Sequence, residues 1–220
     1  MALRIRLLAA ALTAPLTALA IASPAANATT STGPIATGLA ALAKVQSGAI
    51  TADSITARQR HEIDAVTLPT GVTEETPIVH AISSTDPALI GASTADVAHT
   101  NTVLNSATSG CWSMWIRWRA TATAGNTLFT WWLGLAWCSS GGQISSYHVF
   151  DRGGESSTPG WSFVGNGGAG SWNVGWEVRQ YVQERFSFGI GWFSYTDTRC
   201  GQIRGGATVL YSASASCGLN

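Results

Sequence analysis

Before Cys111 the chain has no tryptophan, tyrosine, phenylalanine or cysteine, and over its whole 220 residues it has a single lysine, Lys44. The first absence excludes an aromatic core for the amino-terminal half, which must build whatever it builds from Ala, Thr, Ser, Ile, Leu and Val. Missing as well are any CxxC pair, GxSxG or HExxH motif and any paired catalytic carboxylates, so no metal site, cofactor or familiar hydrolytic centre is indicated. The seven arginines after residue 110 are dispersed and no cationic amphipathic helix is evident, so neither a nucleic-acid partner nor a membrane-surface helix is expected.

What is present divides the chain sharply. All ten Trp and all four Cys lie at or after Cys111. At the other end, Arg4 and Arg6 precede an uncharged Ala/Leu-rich run over residues 7–22. Pro24 breaks that run, and Ala26-Asn27-Ala28 offers small residues where a signal peptidase reads. Residues 1–28 therefore read as a secretory signal peptide, with Thr29 starting a secreted, extracellular protein. No second hydrophobic stretch approaches the ~20 residues of a membrane span, so no transmembrane segment is expected in the mature chain.

Residues 29–110 form a low-complexity leader, linker or pro-segment. Three basic and seven acidic side chains give it a net charge of −4, against +2 for residues 111–220. Such a leader can dock electrostatically, as a pro-segment does, or simply be a solvated linker. Ile35, Leu39, Leu42 and Val45 have helical spacing, and residues 53–65 predict a second short helix capped by Asp53 or Ser54. Gly and Pro interrupt the rest, so partial order is expected.

From Cys111 onward the period becomes two. Trp112, Met114, Ile116 and Trp118 alternate with Ser113, Trp115, Arg117 and Arg119, which describes a half-buried strand. Residues 127–138 are apolar on both faces, as in a central strand, and Gly125-Asn126 marks a hairpin between the two runs. A two-residue loop sets Ile116 opposite Leu135; a four-residue loop over residues 123–126 slides the partner by two and sets Cys111 opposite Cys138. Further strands are predicted over residues 143–150, 161–164, 172–182, 186–192 and 202–212, with a Gly-rich loop at 165–170. A short helix over 176–185 is the competing reading of one of them. The expected fold is all-β, an antiparallel sandwich of about six or seven strands behind a partly ordered leader.

Four cysteines in an exported chain imply two disulfides and permit three pairings. The four-residue hairpin favours Cys111 with Cys138, leaving Cys200 with Cys217; Cys111–Cys217 with Cys138–Cys200 is the rival that ties the domain's ends.

The polar face of the hairpin carries Trp115, Arg117 and Arg119 beside Trp132, with Gly134 leaving space. Indole could stack a sugar ring there while guanidinium groups bind hydroxyls or anions; equally, the arginines could lie as a lid over covered tryptophans. His148, with Asp151 three residues on, is the sole thin material for a catalytic site, and on a regular strand the two point to opposite faces. The stretch from Cys111 through Trp137-Cys138, with the Gly-Trp and Phe-rich strands and the closing Cys217, resembles uncharacterised secreted β domains of high-GC Gram-positive bacteria. That resemblance implies a secreted sandwich and adds no site residues. The leading functional expectation is a binding or interaction module for a saccharide, cell-surface or protein ligand. A secreted hydrolase with a pro-segment and a membrane-active toxin or inhibitor are the alternatives.

Overall fold

A computed structural model describes residues 33–51, 53–85, 109–191 and 193–219; the signal peptide expected over residues 1–28 lies outside them. Two helices, α1 (Pro34–Gln46) and α2 (Ala57–Thr67), lead into β1 (Pro69–Glu74) and β2 (Ile78–Ile82). Seven strands follow: β3 (Gly110–Ala122), β4 (Thr127–Ser140), β5 (Gln143–Ser156), β6 (Trp161–Asn173), β7 (Glu177–Ile190), β8 (Phe193–Gly206) and β9 (Tyr211–Ser214). The first sheet runs β1-β3-β4-β5 with β2 also on β3, the second β6-β7-β8-β9, and all pairings are antiparallel. The chain is thus an all-β sandwich with two short helices.

The hairpin adopts the four-residue loop. Cys111 faces Cys138, Met114 faces Leu135, Ile116 faces Leu133 and Trp118 faces Trp131. Both disulfides are closed, Cys111–Cys138 and Cys200–Cys217. Alternation along β3 and β4 drives Met114, Ile116, Trp118, Trp131, Leu133, Leu135 and Trp137 into the space between the sheets, where none retains solvent exposure. From the second sheet Val178, Val182, Phe186, Phe188 and Ile203 meet them.

Such large rings require facing positions without side chains. At Gly201 an added Cβ would stand 2.3 Å from the Trp118 ring, and at Gly205 2.6 Å from the Trp137 ring. Each buried indole N–H also needs an acceptor, because an unpaired buried donor costs about 1–3 kcal/mol. Trp131 donates to the Cys200 carbonyl at 3.0 Å and Trp137 to the Gly206 carbonyl at 3.1 Å.

The leader supplies acceptors for two more, Trp118 and Trp161. Trp118 donates to the Glu74 carboxylate at 3.0 Å, and Trp161 to the Thr67 carbonyl at 3.1 Å, which also accepts from the Tyr195 hydroxyl. β1 and β2 together run along the edge of β3 from Ala122 to Cys111, and Leu42, Val45, Ile63 and Val66 of the helices join the common core. The helical spacing read from Ile35 to Val45 lies within α1. The cap of α2 is Thr56 rather than Asp53 or Ser54: its hydroxyl accepts from the Gln59 N–H while Gln59 bonds back, a capping box that starts the helix three residues later.

Two stretches of the second sheet differ from expectation. Residues 165–170 lie inside β6, where shifts of register after Phe163 and Asn166 absorb the glycines as bulges. The run over 172–182 is broken by a turn at Val174 to Trp176, and Glu177–Ile190 is one continuous strand, so the helical reading of 176–185 does not hold.

Replacing Gly201 by Ala should lower stability by about 1–3 kcal/mol through overpacking against Trp118. Gly189→Ala, at a position with open space around its Cβ, should change it by less than about 0.5 kcal/mol. Urea denaturation of the two variants checks the contrast.

Candidate functional site

The hairpin face comes together as expected in register: Trp115 pairs with Gly134 and Arg117 with Trp132. Its polar groups are, however, already engaged. Glu75, just past β1, accepts from Arg117 Nε at 3.0 Å and Arg119 Nε at 2.7 Å. Burial alone would raise the Glu75 carboxyl; hydrogen bonds from Arg119 and Arg117, with their charges, hold it below its ordinary range. The Arg117 guanidinium sits 5.8 Å from the Trp115 ring centre, and Glu155 lies 3.9 Å from its Nη1.

Trp115 and Trp132 both donate their indole N–H groups to Asp151, at 2.8 and 3.1 Å. The space beside Gly134 is filled by the Phe150 ring, which a Cβ at 134 would meet at 2.6 Å. A ligand that took the indole N–H groups or the arginine Nε donors of this face would have to displace a carboxylate.

A bulge changes the geometry of His148. Leu135 pairs with Val149 but Gly134 with Asp151, so Phe150 is an extra residue and the parity of β5 switches there. His148, opposite Ala136, and Asp151, opposite Gly134, therefore share the outward face, contrary to the regular-strand expectation. Asp151 is nevertheless turned to the two indoles, and its hydrogen bonds among the described residues are theirs.

Beyond the bulge Arg152, itself exposed, reaches toward a carboxyl that sequence reading passed over. Glu184 occupies the core face of β7 between Val182 and Phe186 and has no solvent exposure. With the Asn166 amide nitrogen turned toward it, that nitrogen donates to both carboxylate oxygens at 2.7 and 2.8 Å, and Arg152 donates to the Asn166 oxygen at 3.2 Å. Burial raises the carboxyl to about 7, opposed by the charge of Arg152. The signal was present: the alternation Val178, Val182, Phe186, Phe188 places residue 184 on the apolar side.

Open aromatic surface lies elsewhere, at the end of the sandwich where three turns meet. Gly142 of the β4–β5 turn, Trp176 of the β6–β7 turn and residues 206–208 and 210–212 of the β8–β9 hairpin line a cleft of about 370 Å³ together with Glu177 and Arg204. Trp176 is 55% exposed, Tyr211 44% and Leu210 73%. The turns brace each other, Ala207 N–H donating to the Trp176 carbonyl at 2.8 Å and Ile144 N–H to the Gly175 carbonyl.

Within the hairpin Val209 packs against the core with φ of 70°, the left-handed region that a β-branched residue adopts only under constraint. Its inward side chain leaves Leu210 pointing to solvent. Sequence reading missed this rim because residues 202–212 look like one strand; the hairpin is signalled by Gly205-Gly206 alone. None of the four predicted residues lines this cleft, and the structure does not bring them to it.

Among the described residues no cluster of three or more His, Cys, Asp or Glu could hold a metal, and no helix is long and apolar enough to cross a membrane. The chain matches no family model, no curated protein and no solved structure.

Glu184 yields a pH dependence. Its folded value lies above the unfolded one of about 4.5, so the buried charge is a penalty that is absent at low pH and grows as pH rises from about 4.5 through about 7. Stability should fall by on the order of 2–3 kcal/mol across that window and level off above it. Glu184→Gln should flatten this part of the profile, as checked by denaturation at pH 5 and pH 8.

Proposed function

We propose that the protein is exported and acts as an extracellular binding module, taking a saccharide ring in the cleft between Trp176 and Tyr211. The observation that carries this reading is the contrast between the two aromatic surfaces. On the outer face of the first sheet the indole N–H groups of Trp115 and Trp132 and the guanidinium groups of Arg117 and Arg119 have internal partners. At the cleft, Trp176, Leu210 and Tyr211 are held open to solvent around a volume within the roughly 300–1,000 Å³ of small-ligand sites.

Ring stacking on indole and phenol supplies the apolar contact a pyranose offers through its C–H face. The hydroxyls of Thr208 and Ser212 stand around the same cleft for its hydroxyl groups, while Glu177 there is paired with Arg179 and Arg204 donates to Gln202 at 2.9 Å. Clustered exposed apolar residues at the loop end of a rigid scaffold are the usual place for such a function. Export is supported by the leader peptide read over residues 1–28 and by two disulfides.

Depletion of the protein from solution by insoluble cellulose, chitin or bacterial cell-wall sacculi tests the reading. At least one of these should retain the wild type, and Trp176→Ala and Tyr211→Ala should each weaken retention about tenfold or more. Arg119→Ala on the first sheet should bind like the wild type. Full retention by Trp176→Ala, or loss on Arg119→Ala alone, contradicts the assignment.

A further inference from the structure

The outer face of the second sheet continues away from the cleft and is already occupied by the chain's own carboxyl end. Facing outward there are Arg179, Tyr181 and Gln183 on β7 beside Arg204, Gln202 and Cys200 on β8. After β9 the chain folds back over these residues. Cys217 is bonded to Cys200, and Gln183 Nε2 donates to its sulfur at 3.2 Å. One step nearer the cleft, Gln202 Nε2 donates to the Gly218 carbonyl; one step further, Arg179 Nη1 donates to the Leu219 carbonyl at 2.6 Å.

Arg179 is the register partner of Arg204, which lines the cleft, so the tail runs lengthwise along the sheet and arrives beside the cleft wall. It covers its track closely: Gln202 keeps 1% of its exposure although it is a polar residue on an outer face.

We infer that the cleft reads the end of a saccharide chain, because the disulfide-tethered tail Cys217 to Leu219 fills the track along which the next sugar units would lie. This rests on the saccharide reading of the cleft and specifies what that site selects. The backbone carbonyls of Gly218 and Leu219 stand where ligand oxygens would accept from Gln202 and Arg179. A terminal ring enters between Trp176 and Tyr211 without displacing anything, whereas an internal segment of a polymer would have to expel a covalently anchored strap. Holding the strap by a disulfide raises its effective concentration on the face far above what three hydrogen bonds would maintain. Chain length beyond the first units therefore adds no affinity.

The experiment compares β-1,4-linked dimers and hexamers of glucose and of N-acetylglucosamine by titration calorimetry. Wild-type protein should bind the dimer and hexamer of at least one series within about a factor of two. A variant ending after Ser214 and carrying Cys200→Ser should prefer the hexamer by tenfold or more while binding the dimer as before. Full-length Cys200→Ser/Cys217→Ser, which releases the strap without removing it, provides the same comparison if the shorter chain folds poorly; there the preference should be intermediate. Tenfold tighter hexamer binding by the wild type, or no length preference in either folded variant, overturns the inference while leaving the cleft assignment standing. Failure of every dimer and hexamer to bind the wild type overturns the inference, and joined to failure of cellulose, chitin and sacculi to retain the protein it removes the cleft assignment as well.

Discussion

An indole buried between two sheets must give its N–H a partner, and satisfying that demand organises this protein. Tryptophan brings more apolar surface than any other side chain, but its donor cannot be left unpaired in a dry core. Trp131 and Trp137 reach across the sandwich to carbonyls of β8. Glycines of β8 let neighbouring rings lie against its backbone, Gly205 under Trp137 and Gly201 under Trp118. The sheet-to-sheet spacing, the glycines of β8 and the aromatic weight of β3 and β4 are therefore one arrangement seen from three sides.

The same demand ties the leader to the sandwich. Trp118 and Trp161 find their acceptors in Glu74 and Thr67, so residues 33–85 complete the core as well as covering the edge of β3. Glu75 then does for Arg117 and Arg119 what Glu74 does for Trp118, and Asp151 does it for Trp115 and Trp132. Each of these pairings consumes a group that, seen in isolation, looks suited to a ligand. The first sheet spends its polar groups on the fold, and the open aromatic residues are displaced to the far end of the second.

Much of the architecture was legible because it depends on parity. The alternation through Trp112 to Trp118 follows from period two alone, and the placing of Cys111 across from Cys138 belongs to one of the two loop lengths that this period allows; the structure has both. Parity fails where a bulge inserts a residue. Phe150 flips the faces of β5, and the glycines of β6 hide a strand as a loop, since neither leaves a hydrophobic pattern to read. β8 escaped because its run Thr196-Asp197-Thr198-Arg199 is polar, its inward side chains forming pairs such as Arg199 with Asp197 instead of an apolar stripe. The site was less legible than the fold. Trp115, Arg117, Arg119 and Trp132 could be placed on one face from sequence, but their partners Glu75 and Asp151 lie 42 and 36 residues from Arg117 and Trp115. The cleft, for its part, is made by three turns that no local pattern brings together.

Trp115, Trp118, Trp131, Trp132, Trp137 and Trp161 have their indole N–H groups paired inside the protein, while Trp176 faces solvent. Hydrogen exchange of the indole N–H signals, assigned by ¹⁵N NMR, measures this directly. Slow exchange for Trp115, Trp118, Trp131, Trp132, Trp137 and Trp161 with fast exchange for Trp176 is the predicted result. Trp115 and Trp132 exchanging as fast as Trp176 would contradict it, leaving the first-sheet face as open to ligands as the cleft.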